Sequence, residues 1–168
     1  DGSCQIIVAC DVTDASNDKQ QAAPLAQATL TNLAQAGLER PKDEAGITQA
    51  LPVTLDNGYY SEAAVEALET LGCDPYIATA RQRHHVPEAD ASETPLTVQK
   101  RMAAKVRTPA GKALYARRKV IVEPVFGQIK EARGFRRFLL RGLDHIRGEW
   151  RLVCLTHNLL KIWRYGHV

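Results

Sequence analysis

The chain has 168 residues, 45% hydrophobic and 24% charged, the balance of a globular protein long enough to bury one core. No apolar run approaches the roughly 18 residues of a membrane-spanning helix, so a helical membrane protein is excluded and no membrane partner is expected. The overall charge of +3 conceals a division: residues 1–90 carry 5 Lys/Arg against 14 Asp/Glu, net −9, and residues 91–168 carry 17 against 5, net +12, which points to a polyanion-binding C-terminal half.

The first residue is Asp1, directly before a strand-like run, so a start further upstream is expected. The run Cys4–Thr13 (CQIIVACDVT) is β-branched and alternating enough for a strand. The DASND stretch breaks that pattern, and Asp18 suits the cap of a helix containing Leu25, Leu30 and Leu33 and stopping at Gly37. A polar loop leads to PVTL, a short apolar strand, then DNGYY as a turn and Ser61 as the N-cap of a helix ending near Gly72. Asp56 therefore stands at the carboxyl end of a strand. DPYIATA reads as a further strand, and residues 82–107 as a polar connector or insertion containing His84 and His85, a pair better suited to solvent than to a metal.

Thr108 and Pro109 match an N-cap followed by proline at the first helical position. Leu114, Ile121, Val125 and Ile129 supply that helix with an apolar face. A last helix, roughly 144–165, carries Ile146, Trp150, Val153, Leu160 and Trp163 on one side. Leu152, Leu155, Leu159 and Ile162 widen that side enough to suggest burial against a sheet, and His157 reads as a hydrogen-bonded core residue. The four cysteines, Cys4, Cys10, Cys73 and Cys154, show neither CxxC nor metal-finger spacing and fit buried thiols of a reducing cytoplasm. The order of strands and helices is that of one α/β layered domain.

Two carboxylates are placed to carry chemistry. Two-metal phosphoryl transfer needs acidic side chains converging from different elements onto hard divalent ions, and Asp56 at a strand end and Glu123 on a later helix meet that need. The bland alternatives are a turn-forming aspartate and a solvated glutamate. Glu123 is distinguished by its surroundings. At helical spacing Lys119, Glu123, Gly127, Lys130 and Arg137 share a face. Gly127 costs about 1 kcal/mol against alanine but leaves room for a nucleic-acid backbone. Pro124 cannot donate to the Val120 carbonyl, so a kink is expected at the acidic residue.

The segments TLDNGYYS and YARRKVIVEPVFGQIKEARGFRRFLLRG resemble the second-aspartate and glutamate motifs of bacterial insertion-sequence transposases of the DDE type. Tyr115, Arg118, Glu123 and Lys130 resemble that family's Tyr–Arg–Glu–Lys signature; the arginine-to-glutamate interval is one residue longer than its commonest form, so Arg118 and Lys119 both stand for that place. RGEWRLVCLTHNLLKIW is similar to the closing helix, and the resemblance covers nearly the whole chain. It implies a ribonuclease H-like mixed sheet flanked by helices and three carboxylates holding two Mg²⁺ or Mn²⁺ ions. The first aspartate of such a fold lies on the first strand, which is expected to precede the run Cys4–Thr13 and to be missing from this chain. Asp1 suits a hairpin turn, Asp11 falls on another strand, and Asp18 suits a helix cap.

The resemblance further implies a homodimer acting on double-stranded DNA at transposon ends and target, in the cytoplasm at the nucleoid. Asp56 and Glu123 would be catalytic. Tyr115, Arg118, Lys119, Lys130, Arg133, Arg136 and Arg137 would lie on the DNA, the arginines through phosphates. Phe135 and Phe138, between the arginines, are expected in the core. The competing expectations are an inactive DNA-binding relic and a host nuclease of the same fold.

Overall fold

The computed structural model describes residues 2–79 and 97–166; Asp1, His84 and His85 lie outside them. The described residues form a mixed α/β structure. Its elements are α1 (Ala22–Gln35), β1 (Leu51–Leu55), a 3₁₀ turn (Asn57–Tyr59), α2 (Glu62–Thr70), β2 (Cys73–Ile77), α3 (Val98–Arg107), α4 (Pro109–Gly127), a π-helical turn (Gln128–Ala132) and α5 (Leu143–Tyr165). The chain divides into two compact units. One comprises Asp1–Ser16, Leu25–Glu39 and Ala116–Val168; the other comprises Asn17–Pro24 and Arg40–Tyr115.

The second unit is built on a β–α–β arrangement. β1 and β2 pair in parallel, Leu51 beside Cys73 through Leu55 beside Ile77. Burial alternates along β2, with Cys73, Pro75 and Ile77 inside, as the two-residue period of a strand requires. Between the strands, α2 buries Ala64, Val65 and Leu68 on one face. The Ser61 side chain caps it by accepting from the Ala64 N–H at 3.1 Å. Gly72, at φ +73°, reverses the chain where a side chain would be strained. Helix α3 occupies residues 98–107 of the segment expected as connector and adds Met102 and Val106 to the core. It is pinned to β2 by Lys105, which pairs with Asp74, donates to the Pro75 carbonyl at 2.9 Å and lies 4.3 Å from the Tyr76 ring centre. Thr108 closes α3 and opens α4, its hydroxyl accepting from the Gly111 N–H at 2.9 Å.

In the first unit the run expected as a strand, Cys4–Thr13, forms no strand among the described residues. Its backbone groups are taken by side chains instead. Asn158 on α5 accepts from the Ile7 N–H at 2.9 Å and donates to the Ile7 carbonyl at 2.8 Å, reproducing both bonds of a β-ladder rung. Asn32 of α1 donates to the Val8 carbonyl at 2.8 Å, and Arg147 of α5 donates to that of Val12 at 3.0 Å. The His157 ring, fully buried, meets the Gln5 carbonyl at 3.0 Å, as expected of a core histidine. Phe126 stacks on Trp150 at 6.1 Å, and Phe135 and Phe138 complete the cluster around the same indole. Within this unit the inner face of α5 is therefore met by the 5–12 segment and by aromatics.

Pro124 sits inside α4, and the helix runs on through it to Gly127 before the π-helical turn begins. The carbonyl it leaves without an intrahelical donor, that of Val120, accepts from the Gln5 side-chain amide at 3.2 Å. Gln5→Ala should therefore cost about 1–2 kcal/mol in a denaturant titration. That cost should shrink by about 0.5–1.5 kcal/mol in a Pro124→Ala background, where residue 124 regains an N–H. Equal costs in the two backgrounds would show that the amide does not serve that carbonyl.

Burial, and after it the neighbouring Cys10 thiol, push the Cys154 thiol from 9.0 up to about 12, against a smaller pull from Arg133. A pKa raised on folding gives stability that is whole below the unfolded value and lost as pH climbs through the folded one. Wild type should thus lose more stability than Cys154→Ala between about pH 8 and pH 11; parallel stability–pH curves would remove the thiol from the core's account.

Candidate active site and nucleic-acid interface

Asp56 follows the last residue of β1 and caps the 3₁₀ turn, its carboxylate accepting from the Asn57 N–H at 2.9 Å. It is exposed, while Tyr59 and Tyr60 behind it are half-buried. The Tyr59 hydroxyl is pushed above its ordinary pKa by desolvation, then by the charges of Asp18 and Asp56. Asp18 thus lies beside the turn that carries Asp56, with a carboxylate oxygen 3.9 Å from where a Cβ on Gly58 would stand. As for the expected helix cap, α1 begins only at Ala22, and Asp18 receives the Gln21 N–H through its backbone carbonyl at 3.0 Å. No sequence signal pairs Asp18 with Asp56, because the two stand in separate segments with no periodicity in common. The Tyr60 hydroxyl is buried without a hydrogen-bond partner among the described residues.

Glu123 lies on α4, exposed, between exposed Val122 and Pro124. Lys119, also exposed, is one helical turn before it on the same face, whereas Arg118 is half-buried and points well round the helix. Tyr115, half-buried, is a turn earlier still. Of the two candidates for the basic position, α4 aligns Lys119 with Glu123. A Cβ on Gly127 would meet nothing within 4 Å, so the surface past Glu123 is open. Lys130, exposed in the π-helical turn, holds its ammonium 5.6 Å from the Phe126 ring centre. Regular helical spacing does not continue to Arg137, which lies beyond the end of the turn at Ala132. Asp56 and Glu123 belong to different units.

The arginines differ in their engagements. Arg133 donates to the Val153 carbonyl at 3.1 Å and to the Thr156 hydroxyl, tying the loop after the π-helical turn to α5. Arg136 pairs with Glu131. Arg137 is exposed. Among the described residues no cluster of three or more His, Cys, Asp or Glu is placed to hold a metal ion, and no helix is long and apolar enough to cross a membrane.

Compared with known proteins, residues 73–163 match the family model described as "Transposase DDE domain". The matched stretch includes Glu123, Lys130 and α5 to Trp163, and it begins after Asp56. No curated protein and no solved structure matches the chain.

The two roles of the basic residues separate in a stability measurement. Arg133→Ala should cost about 1–2 kcal/mol, since it removes charge-assisted bonds to α5. Arg137→Ala should stay within about 0.5 kcal/mol of wild type. Equal effects in denaturant titrations would refute the distinction.

Proposed function

From the premise that this chain belongs to the transposase DDE domain family, we propose that it carries two of the carboxylates, Asp56 and Glu123, of a metal-dependent site that cuts and rejoins phosphodiesters at transposon ends. The fold expected with this chemistry is a ribonuclease H-like sheet with flanking helices. The observation that most supports the reading is local to α4. An exposed glutamate, with Lys119 one turn away on its face, is followed at once by an internal proline, a glycine over open space and a π-helical turn. Each of the last three is costly in a plain scaffold helix, and π-turns are frequent at functional positions.

The donors fit hard divalent ions: both are carboxylates at exposed positions, one at a strand end and one on a helix. When bound, Mg²⁺ or Mn²⁺ supplies activation of the attacking oxygen and charge neutralisation at the leaving one. The chain's own part is to position. Asp56 and Glu123 contribute oxygen ligands. Lys119 and Lys130 lie on either side of Glu123 to hold phosphate oxygens, and the bare Gly127 surface lets the DNA backbone approach. Tyr115, Arg118, Arg136 and Arg137 extend the contact, while Arg133 supports it through α5.

A Mn²⁺ titration followed by NMR tests the site without requiring turnover. Amide signals near both Asp56 and Glu123 should broaden at the same metal concentration, and Glu123→Gln should remove the effect at both. Broadening at one carboxylate alone would separate the two. A salt titration of duplex binding tests the DNA face. Lys119→Ala, Lys130→Ala and Arg137→Ala combined should flatten the slope of log K against log salt by about 2–3, close to 0.9 for each lost phosphate contact. It should weaken unrelated sequences equally. An unchanged slope would place the DNA path elsewhere.

A further inference from the structure

The hydrogen bonds between the N-terminal segment and α5 also set a register. Gln5 meets His157 and Lys161, Ile7 meets Asn158, and Val12 meets Arg147, so the segment passes along α5 against the direction of the helix. Cys10 falls between the last two of these anchors. On α5, residues 147, 154, 158 and 161 stand at steps of seven, four and three and share the face that the segment crosses. Two residues between Arg147 and Asn158 are buried: His157, which meets Gln5, and Cys154. Register and face thus bring a thiol of the segment to a thiol of the helix, and the two are hydrogen-bonded to each other. Both are free thiols of the same compact unit, and neither has a part in the metal or DNA chemistry proposed above.

We propose that Cys10 and Cys154 are a reversible redox pair, which a low-molecular-weight disulfide such as oxidised glutathione converts from a dithiol into a disulfide joining the segment to α5. Burial fixes the order of events. Cys10 is half-buried and within reach of solvent, whereas Cys154 is not. The thiolate is the nucleophile, so Cys10 gives its proton to solvent and attacks one sulfur of the oxidised glutathione. That disulfide breaks, one glutathione leaves as a thiolate and takes up a proton, and Cys10 keeps the other in a mixed disulfide. Cys154 then gives up its proton, and its sulfur attacks that of Cys10 and expels the second glutathione. Two protein thiols are oxidised and one glutathione disulfide is reduced to two thiols, with no other reactant. In the dithiol, burial and then Cys10 itself hold the proton on Cys154. Capping Cys10 removes its charge. The Arg133 guanidinium, bonded to the Val153 carbonyl and the Thr156 hydroxyl on either side of Cys154, still favours the thiolate. Hydrogen-bonded sulfurs have only a short approach to make to a bond of roughly 2.05 Å. The segment so fastened is the one whose Gln5 serves the Val120 carbonyl, so oxidation braces the support of the helix that carries Glu123.

The full chain, held folded in glutathione buffers of rising oxidised fraction, then quenched in acid, alkylated and mapped by mass spectrometry, tests the pair. The peptides of Cys10 and Cys154 should appear joined and lighter by two hydrogens, and dithiothreitol should separate them. Cys154→Ser should stop at a glutathione adduct on Cys10. Cys10→Ser should leave Cys154 a thiol in buffers that close the wild type, with circular dichroism as the check on folding. Closing the pair should raise the denaturant midpoint of the wild type and leave that of Cys10→Ser unchanged. Four outcomes overturn the proposal. The wild type may not close, remaining a dithiol or a glutathione adduct in the most oxidising buffer, or Cys10 joins a different cysteine. Cys154 reacts in Cys10→Ser as fast as in wild type, or the oxidised midpoint is no higher than the reduced one. The mapping is read on the unaltered chain, so it decides even where a serine variant fails to fold.

Discussion

One missing hydrogen organises the first unit. Pro124 has no N–H to give the Val120 carbonyl, which must find its donor outside the helix. Gln5 answers it, and to do so holds a left-handed backbone, φ +61°, that a residue with a side chain adopts at some cost. That conformation persists because the residue is bonded on several sides. Its carbonyl meets His157, its side-chain oxygen accepts from the Lys161 ammonium at 2.8 Å, and its amide reaches α4. Two helices and the 5–12 segment are joined at this one residue. Removing it would take from the buried Lys161 its hydrogen-bonded oxygen and leave the Tyr165 ring, 5.7 Å away, beside it.

The same proline explains why Glu123 can be where it is. A helix that must tolerate Pro124 and Gly127 within four residues is weak on its own, since propensity favours neither. It is held from outside, by Gln5 at Val120, by buried Val125 and Ile129, and by the stacking of Phe126 on Trp150. With stability supplied by that inner face, the outer face is relieved of packing. It is left to an exposed carboxylate, two lysines and a bare patch. Local sequence that is poor for folding and well compensated nearby is what a site-bearing helix looks like.

Caps and turns were the legible part of the fold. Ser61, Gly72, Thr108 and Pro109 act through neighbours one to four residues away, so their chemistry is written locally, and the structure has each where that chemistry puts it. The position of Asp56 just past a strand was legible for the same reason. The 5–12 segment was not. β-branched alternation reports a preference for extended backbone, but whether a strand or an asparagine takes the hydrogen bonds depends on residues some 150 positions away. Nor could a single sequence show that Arg133 is bonded to α5 while Arg137 is exposed, or that Asp18 approaches the Asp56 turn. A charged residue looks the same in sequence whether it touches a carbonyl or water. Leu152, Leu155, Leu159 and Ile162 read as burial against a sheet, yet each is more than half exposed, because aliphatics at helical spacing do not say what covers them.

The charge division, finally, is less a count of DNA contacts than a field. Arg133 is committed to a backbone carbonyl and a hydroxyl, and Arg147 to the Val12 carbonyl at 3.0 Å and to Asp11 at 3.2 Å. An arginine bonded to a neutral carbonyl keeps its full charge and gives up only its freedom to reach. It still contributes to the potential that draws a polyanion in, an effect that acts at a distance and weakens over about 8 Å at physiological salt. Contact requires something else: an exposed cation near a surface open to the backbone. On α4 and the turn after it, the exposed lysines on either side of Glu123 meet that requirement, beside a glycine with empty space above it. Steering and holding thus fall to different residues, and the residues suited to holding are those next to the acid.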